Sequence, residues 1–249
     1  MIAESYGARV FPTDVKSKSH AMRLGDAHAE GFPRLYVDAD VELGTADARA
    51  LAAALRTPGV LAAAPQRSFT MDDSALVVRM YYDVWQQLPT VQNGLFGRGV
   101  VGVSAEAHER LASLPEVMND DLAASVAFGP AERRIVVDAR VRVHPPRTTG
   151  DLVRRRVRAL TGIAQLQTMA GTAEARTTRA DLLRVLRERP ALAPRMAVFL
   201  GVTAIARWKA RRPIRSGDYT TWLRDESSRQ VDIPTQRRDG APARAKEDR

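Results

Sequence analysis

The sequence predicts an α/β fold, because short β-prone runs alternate along it with stretches of helical periodicity. Leu35-Tyr36-Val37 has a helix-patterned stretch on either side, and Val60 to Ala64 is followed by a longer one. Ile135 to Val137 and Val141 to Val143 read as strands that lead, past Pro145-Pro146, into an arginine-bearing helix. A chain of 249 residues that is 45% hydrophobic can bury a sizeable core. It has no cysteine, which excludes disulfides, thiolate zinc sites and cysteine nucleophiles. His20, His28, His108 and His144 show no zinc-ligand spacing. The net charge of +9 calls for an anionic partner without choosing among nucleic acid, lipid and sugar nucleotides.

In chain order, Ala8 to Phe11 reads as a short strand and Ser17 to Glu30 as a helix. Thr45 and Asp47 sit where they cap an Ala-rich helix that ends near Arg56, ahead of Pro58-Gly59. Asp72 and Asp73 cap a helix from Ser74 to about Leu88, whose Val77, Met80, Tyr81 and Val84 fall at core-facing spacing. Val100, Val101 and Val103 read as a strand, with Ser104 capping the helix that carries His108. Thr178-Arg-Ala-Asp181 is a capping box. Met196 to Ile205 is apolar between Arg195 and Arg207, a buried helix or an interfacial one on anionic lipid.

Four patterns carry chemistry. Asp38 and Asp40 follow the Leu35–Val37 strand one residue apart, so both carboxylates point the same way, as hard oxygen ligands for Mg²⁺ or Mn²⁺ or as a solvated turn. Gly97, Gly99 and Gly102 match G-x-G-x-x-G in letters alone: a turn precedes and a strand follows, the reverse of a dinucleotide site. A loop that lets another molecule approach the backbone, or a tight turn, fits instead. Asp120 and Asp121 begin a helix as caps, as a general base, or as both. From Arg133 to Arg158 nine arginines face Asp138 and Asp151 alone, with Arg154, Arg155, Arg156 and Arg158 on one helix, a solvated face or a diphosphate-binding one.

Taken in order, these pieces resemble a family-two glycosyltransferase with a GT-A fold, over roughly Ser5 to Gln165. Lys18-Ser-His-Ala-Met-Arg-Leu-Gly-Asp26 is similar to the family's Lys-x-x-Ala-Leu-Asn-x-Gly helix, with Arg23 in place of Asn. Asp38-Ala-Asp40 resembles its Asp-x-Asp motif, and Gly97 to Ser104 its acceptor-side glycine loop. Asn119-Asp120-Asp121 stands where its Glu-Asp base motif stands, and Arg158-Ala-Leu-Thr-Gly162 resembles Arg-Trp-x-x-Gly. Arg155 stands where the Gln of the family's Gln-x-x-Arg-Trp motif would fall and Ala159 replaces its Trp, so the resemblance points to a single-sugar transferase rather than a processive synthase.

The resemblance implies a mixed sheet with flanking helices, followed by C-terminal helices, and inverting transfer from a nucleotide-sugar donor to a sugar or lipid-linked acceptor. Such transfer serves cell-surface polysaccharide or glycoconjugate synthesis. Asp40 and Asp38 would hold the cation, with His144 a further ligand. Asp121 would be the base, because the apolar residues behind it fall at the family's offsets, with Asp120 the other register. Lys18, Asp38, Arg155 and Arg158 would meet the donor diphosphate, and Gly97, Gly99 and Gly102 would flank the acceptor. The expected layout is a partial transferase domain over residues 1–170, a helical appendage over 171–229 and a disordered tail over 230–249. The resembling segment starts at about the family's third strand, so the expectation is a chain lacking most of the base-binding wall, with weak donor binding and slow turnover. The expected location is cytoplasmic or at the inner face of a membrane, with no nucleic-acid partner. The competing readings are a basic nucleic-acid-binding module and a non-catalytic membrane-surface protein.

Overall fold

A computed structural model describes residues 2–15, 17–113, 120–170 and 177–217. The chain is a mixed α/β protein built on one five-stranded sheet. The elements run α1 (Ile2–Ser5), α2 (Lys18–His28), β1 (Arg34–Val37), β2 (Val41–Leu43), α3 (Thr45–Ala54), β3 (Ala62–Phe69), α4 (Leu76–Trp85) and α5 (Pro89–Asn93). There follow β4 (Val100–Val103), α6 (Ala105–Ala112), α7 (Asp120–Ala127), β5 (Arg133–Val143), α8 (Thr149–Ala170), α9 (Arg179–Glu188) and α10 (Ala193–Ser216).

The strand order is β1-β4-β3-β5-β2. β4 is antiparallel to both neighbours, β3 and β5 are parallel, and β2 is antiparallel to β5. Every residue of β4 is buried, as a strand covered on both faces requires. Its alternation sorts the layers: Val100 packs with Leu51 of α3 and with Leu55 just past its end, while Val101 and Val103 pack with Ala107 of α6 and with Ala124 and Phe128 around α7. A third cluster joins α4, α8, α9 and α10 through residues such as Tyr81, Leu152, Val185 and Phe199. The C-terminal helices therefore share a core with α4.

Several expectations change. Ala8 to Phe11 is not a strand: it adopts no regular structure and is exposed but for the partly covered Val10. The runs around Ile135 and Val141 are one strand, because Val137-Asp138-Ala139 forms a bulge between them, with Pro65 opposite Val136 and Gln66 opposite Arg140. Asp47 stabilises that bulge by accepting from the Arg140 backbone N–H at 2.8 Å, while its other oxygen takes the Gly44 N–H at the start of α3. Polar Gln66 to Phe69 extends β3 past its apolar start, since its ladder is completed by β5 rather than by periodicity of its own. Asp72 and Asp73 do not cap α4, whose N-cap is Ala75 without a side-chain bond; Asp73 pairs with Arg147 instead. The expected caps at Ser104 and Thr178 are formed, and Ser17, expected inside the helix, is the N-cap of α2. The apolar run at Met196 is part of a much longer helix. The expected tail over 230–249 lies outside the described residues.

Candidate functional site

The site begins where α2 is fastened along β1. Near the start of α2, Lys18 Nζ lies 2.7 Å from Asp38 Oδ1, just past the end of β1. Near its end, Asp26 receives Arg34 Nη1 at 3.0 Å and the Tyr36 hydroxyl at 2.9 Å. Tyr36 has one proton and directs it to that carboxylate, so His108 Nδ1, 3.0 Å away, is left to donate to the hydroxyl oxygen. Burial, then the hydrogen bond and charge of Asp26, push the Tyr36 phenol well above its usual range.

Asp38 and Asp40 fall on either side of the exposed Ala39, each half-buried, in the connection from β1 to β2. The Asp38 backbone N–H donates to the Gly99 carbonyl at 2.7 Å, which ties the two acids to the glycine segment before β4. Gly97 and Gly99 both have left-handed backbones, at φ of 66° and 67°. A Cβ at Gly99 would fall 2.4 Å from Val41 Cγ1, and one at Gly97 would fall 3.0 Å from Trp85, so each is a close approach as well as a turn. Gly102 is inside β4, opposite Leu35 and Ala63, and belongs to the strand.

Between the two left-handed glycines is Arg98, only 3% exposed. Its guanidinium donates to the carbonyls of Gln92 at 2.7 Å, Pro65 at 2.8 Å, Gly94 at 3.0 Å and Val91 at 3.4 Å. Burial pushes its pKa down to about 10, so it remains a cation at neutral pH, held by carbonyl dipoles. Arg67 also donates to Val91, with its guanidinium 4.9 Å from the Trp85 ring centroid. Leu95 N–H donates to Ser125 Oγ of α7 at 3.0 Å. The segment is thereby tied to β3, α5 and α7 at once.

On the inner side of this segment is a cleft of about 160 Å³. Gly97 and Phe96 line it from the loop, Trp85 from α4, Leu122 from α7, and Arg155 and Arg158 from α8. Ala159 lines it as well, so the aromatic surface there comes from Tyr81, Tyr82, Trp85 and Phe96. The volume is below the roughly 300 Å³ at which ligand pockets begin, and suits one sugar ring or phosphate group better than a whole nucleotide sugar.

The structure thus gathers Gly97, Arg155 and Arg158 around one cleft, and Lys18, Asp38 and Gly99 around another point of the same loop. Asp120 and Asp121 open α7 immediately before Leu122, but their side chains lie outside the described residues. His144 Nε2 is 3.1 Å from Glu42 Oε1, whose other oxygen takes Arg142. Among the described residues no group of three or more His, Asp or Glu side chains is placed to hold a metal ion. Sequence reasoning missed Arg98, Arg67 and Trp85. An arginine between two glycines was a signal for the first, whereas Arg67 and Trp85 reach the loop only through the tertiary fold.

No protein-family model, curated protein or solved structure matches the chain.

Proposed function

We propose that the chain transfers a sugar, with inversion at the anomeric carbon, from a nucleotide-sugar donor to an acceptor hydroxyl, on a sheet of GT-A type. The observation that carries this reading is the cleft, where the loop glycine, two α8 arginines and the residue after Asp121 converge although they are far apart in sequence. A tight turn or a solvated arginine face gives no reason for that convergence.

In this reading Asp121 takes the proton of the acceptor hydroxyl as its oxygen bonds to the anomeric carbon. The bond from that carbon to the diphosphate oxygen breaks, and the nucleoside diphosphate leaves with the electron pair. Arg158 and Arg155 stabilise the charge that develops on it. Trp85 and Phe96 offer apolar faces to the acceptor ring. Asp38 and Asp40 fit a divalent cation because Mg²⁺ keeps several waters and is held by one or two carboxylates plus substrate phosphates, so a three-ligand protein cluster is not required. When bound, such a cation supplies Lewis-acid stabilisation of the leaving diphosphate. Lys18 holds one Asp38 oxygen and fixes the orientation of that carboxylate.

The test is thermal shift of the whole chain against a panel of nucleotide sugars with Mn²⁺, followed by a transfer assay with the best donor. Stabilisation by one donor that disappears in Asp40→Ala supports the reading. Absence of any donor response, together with tight and steeply salt-dependent binding of duplex or single-stranded nucleic acid, would replace it with a nucleic-acid-binding function.

A further inference from the structure

α10 has two faces of opposite commitment. Met196, Phe199, Val202, Ala206 and Ala210 are buried against α4 and α8, with the Phe199 ring stacked on Tyr81 at 4.9 Å. On the opposite face Ala197, Leu200, Gly201, Ala204, Ile205 and Trp208 are exposed, Leu200 to 47%, Ile205 to 49% and Trp208 to 67%. These six recur at the three-to-four-residue spacing of one helix face and form an apolar band about 17 Å long. The same face continues into Arg211, Arg212 and Arg215, with Arg207 and Lys209 beside it. No acidic residue occurs from Arg189 to Gly217.

The stretch Pro190–Ser216 has the length and composition to cross a bilayer, but its inner face is part of the protein core. A helix packed in this way can lie on a membrane and cannot span one without dismantling that core. We propose that the outer face of α10 docks the protein on a bilayer surface that carries anionic phospholipid. Leu200, Ile205 and Trp208 enter the headgroup–acyl boundary, where indole rings settle, and Arg211, Arg212 and Arg215 meet the lipid phosphates. Charge complementarity selects this occupant, since the face carries five cations at one end and no acidic residue occurs from Arg189 to Gly217, which matches a surface of lipid phosphates.

The experiment is co-sedimentation of the full chain with phosphatidylcholine vesicles, with and without phosphatidylglycerol. Binding is expected to the anionic vesicles, to weaken with salt, and to fall about tenfold or more in L200E/W208E and in R211E/R212E. These side chains are exposed, so melting curves of the variants should match the parent and keep the comparison interpretable. Equal binding to neutral vesicles, or variants that bind as the parent does, would overturn the proposal. So would a parental dimer that L200E/W208E converts to monomer, because the face would then be covered by a second copy. The inference does not rest on transferase activity, and donor-induced thermal shifts should be the same in both variants and the parent.

Discussion

Arg98 Nη1 donates to the Pro65 carbonyl at 2.8 Å, two residues beyond Ala63, where the last rung between β3 and β4 is made. The guanidinium stands in for strand pairing at the point where β3 leaves β4, and the same cation gathers the carbonyls around Gln92. Arg98→Met would remove the guanidinium donors of the Gln92, Pro65 and Gly94 carbonyls and leave Val91 to Arg67 alone, and is expected to lower unfolding free energy by about 3 kcal/mol or more. Arg98→Lys keeps the charge but not the fork, and should recover only a minority of that loss. Urea denaturation of the three proteins checks this.

Gly99 and Gly201 make a matched pair. Gly99→Ala places a Cβ against Val41 at a left-handed backbone, and should destabilise the fold by about 1–3 kcal/mol. Gly201→Ala, with nothing within 4 Å, should stabilise it by roughly 0.5–1 kcal/mol through helix propensity. Thermal melts that moved in the same direction would contradict the environments described for the two glycines.

Most helices were legible because apolar spacing and caps are local: Ser104 and Thr178 both cap as their positions suggest. β4 was legible from Val100, Val101 and Val103. The extension of β3 and the union of β5 were not, since Gln66 to Phe69 and Arg140 to Val143 are held in the sheet by each other, some 70 residues apart, across a bulge. For the site, the types and order of Lys18, Asp38, Gly97 and Arg158 could be read, but not that Arg98 would be buried while its neighbouring glycines face outward partners. Burial of an arginine depends on carbonyls assembled from β3 and α5, which no local pattern records.

Alkaline stability should follow the tyrosines. The folded values of Tyr36 and Tyr81 are raised above the ordinary 10.0, Tyr81 to about 12 by burial. The protonated phenols are favoured in the fold, so their contribution is fully present below pH 10 and is lost as pH rises through the folded values. Arg98 acts in the opposite sense, because its folded value of about 10 lies below 12.5 and neutralising it above pH 10 relieves the burial of a charge. With two tyrosines against one arginine, melting temperature should fall above pH 10, and Tyr36→Phe should make that fall shallower. At neutral pH the same substitution removes the bonds to Asp26 and His108, and should reduce stability by about 1 kcal/mol.

If the proposed transfer holds, Asp121→Asn should lower turnover by about 10²-fold or more while leaving donor binding nearly unchanged. Asp40→Ala should instead weaken cation-dependent donor binding. Retention of more than about a tenth of the activity by Asp121→Asn would move the base to Asp120 or remove the assignment. Single-turnover assays with calorimetric donor titrations distinguish these outcomes.

The strand order has a kinetic consequence. None of the sheet's pairings is a tight hairpin: β1 must find β4, and Glu42 in β2 meets its partner Arg142 across 100 intervening steps of chain. Closing loops of that size precedes any reward from the contacts, so the sheet should assemble late and all at once, well after the capped helices have begun to flicker into place. On a ribosome β2 would wait, unpaired, until β5 had emerged. The chain would thus spend most of its synthesis with its central layer unbuilt, which makes the interval before residue 143 the one in which a chaperone has most to hold.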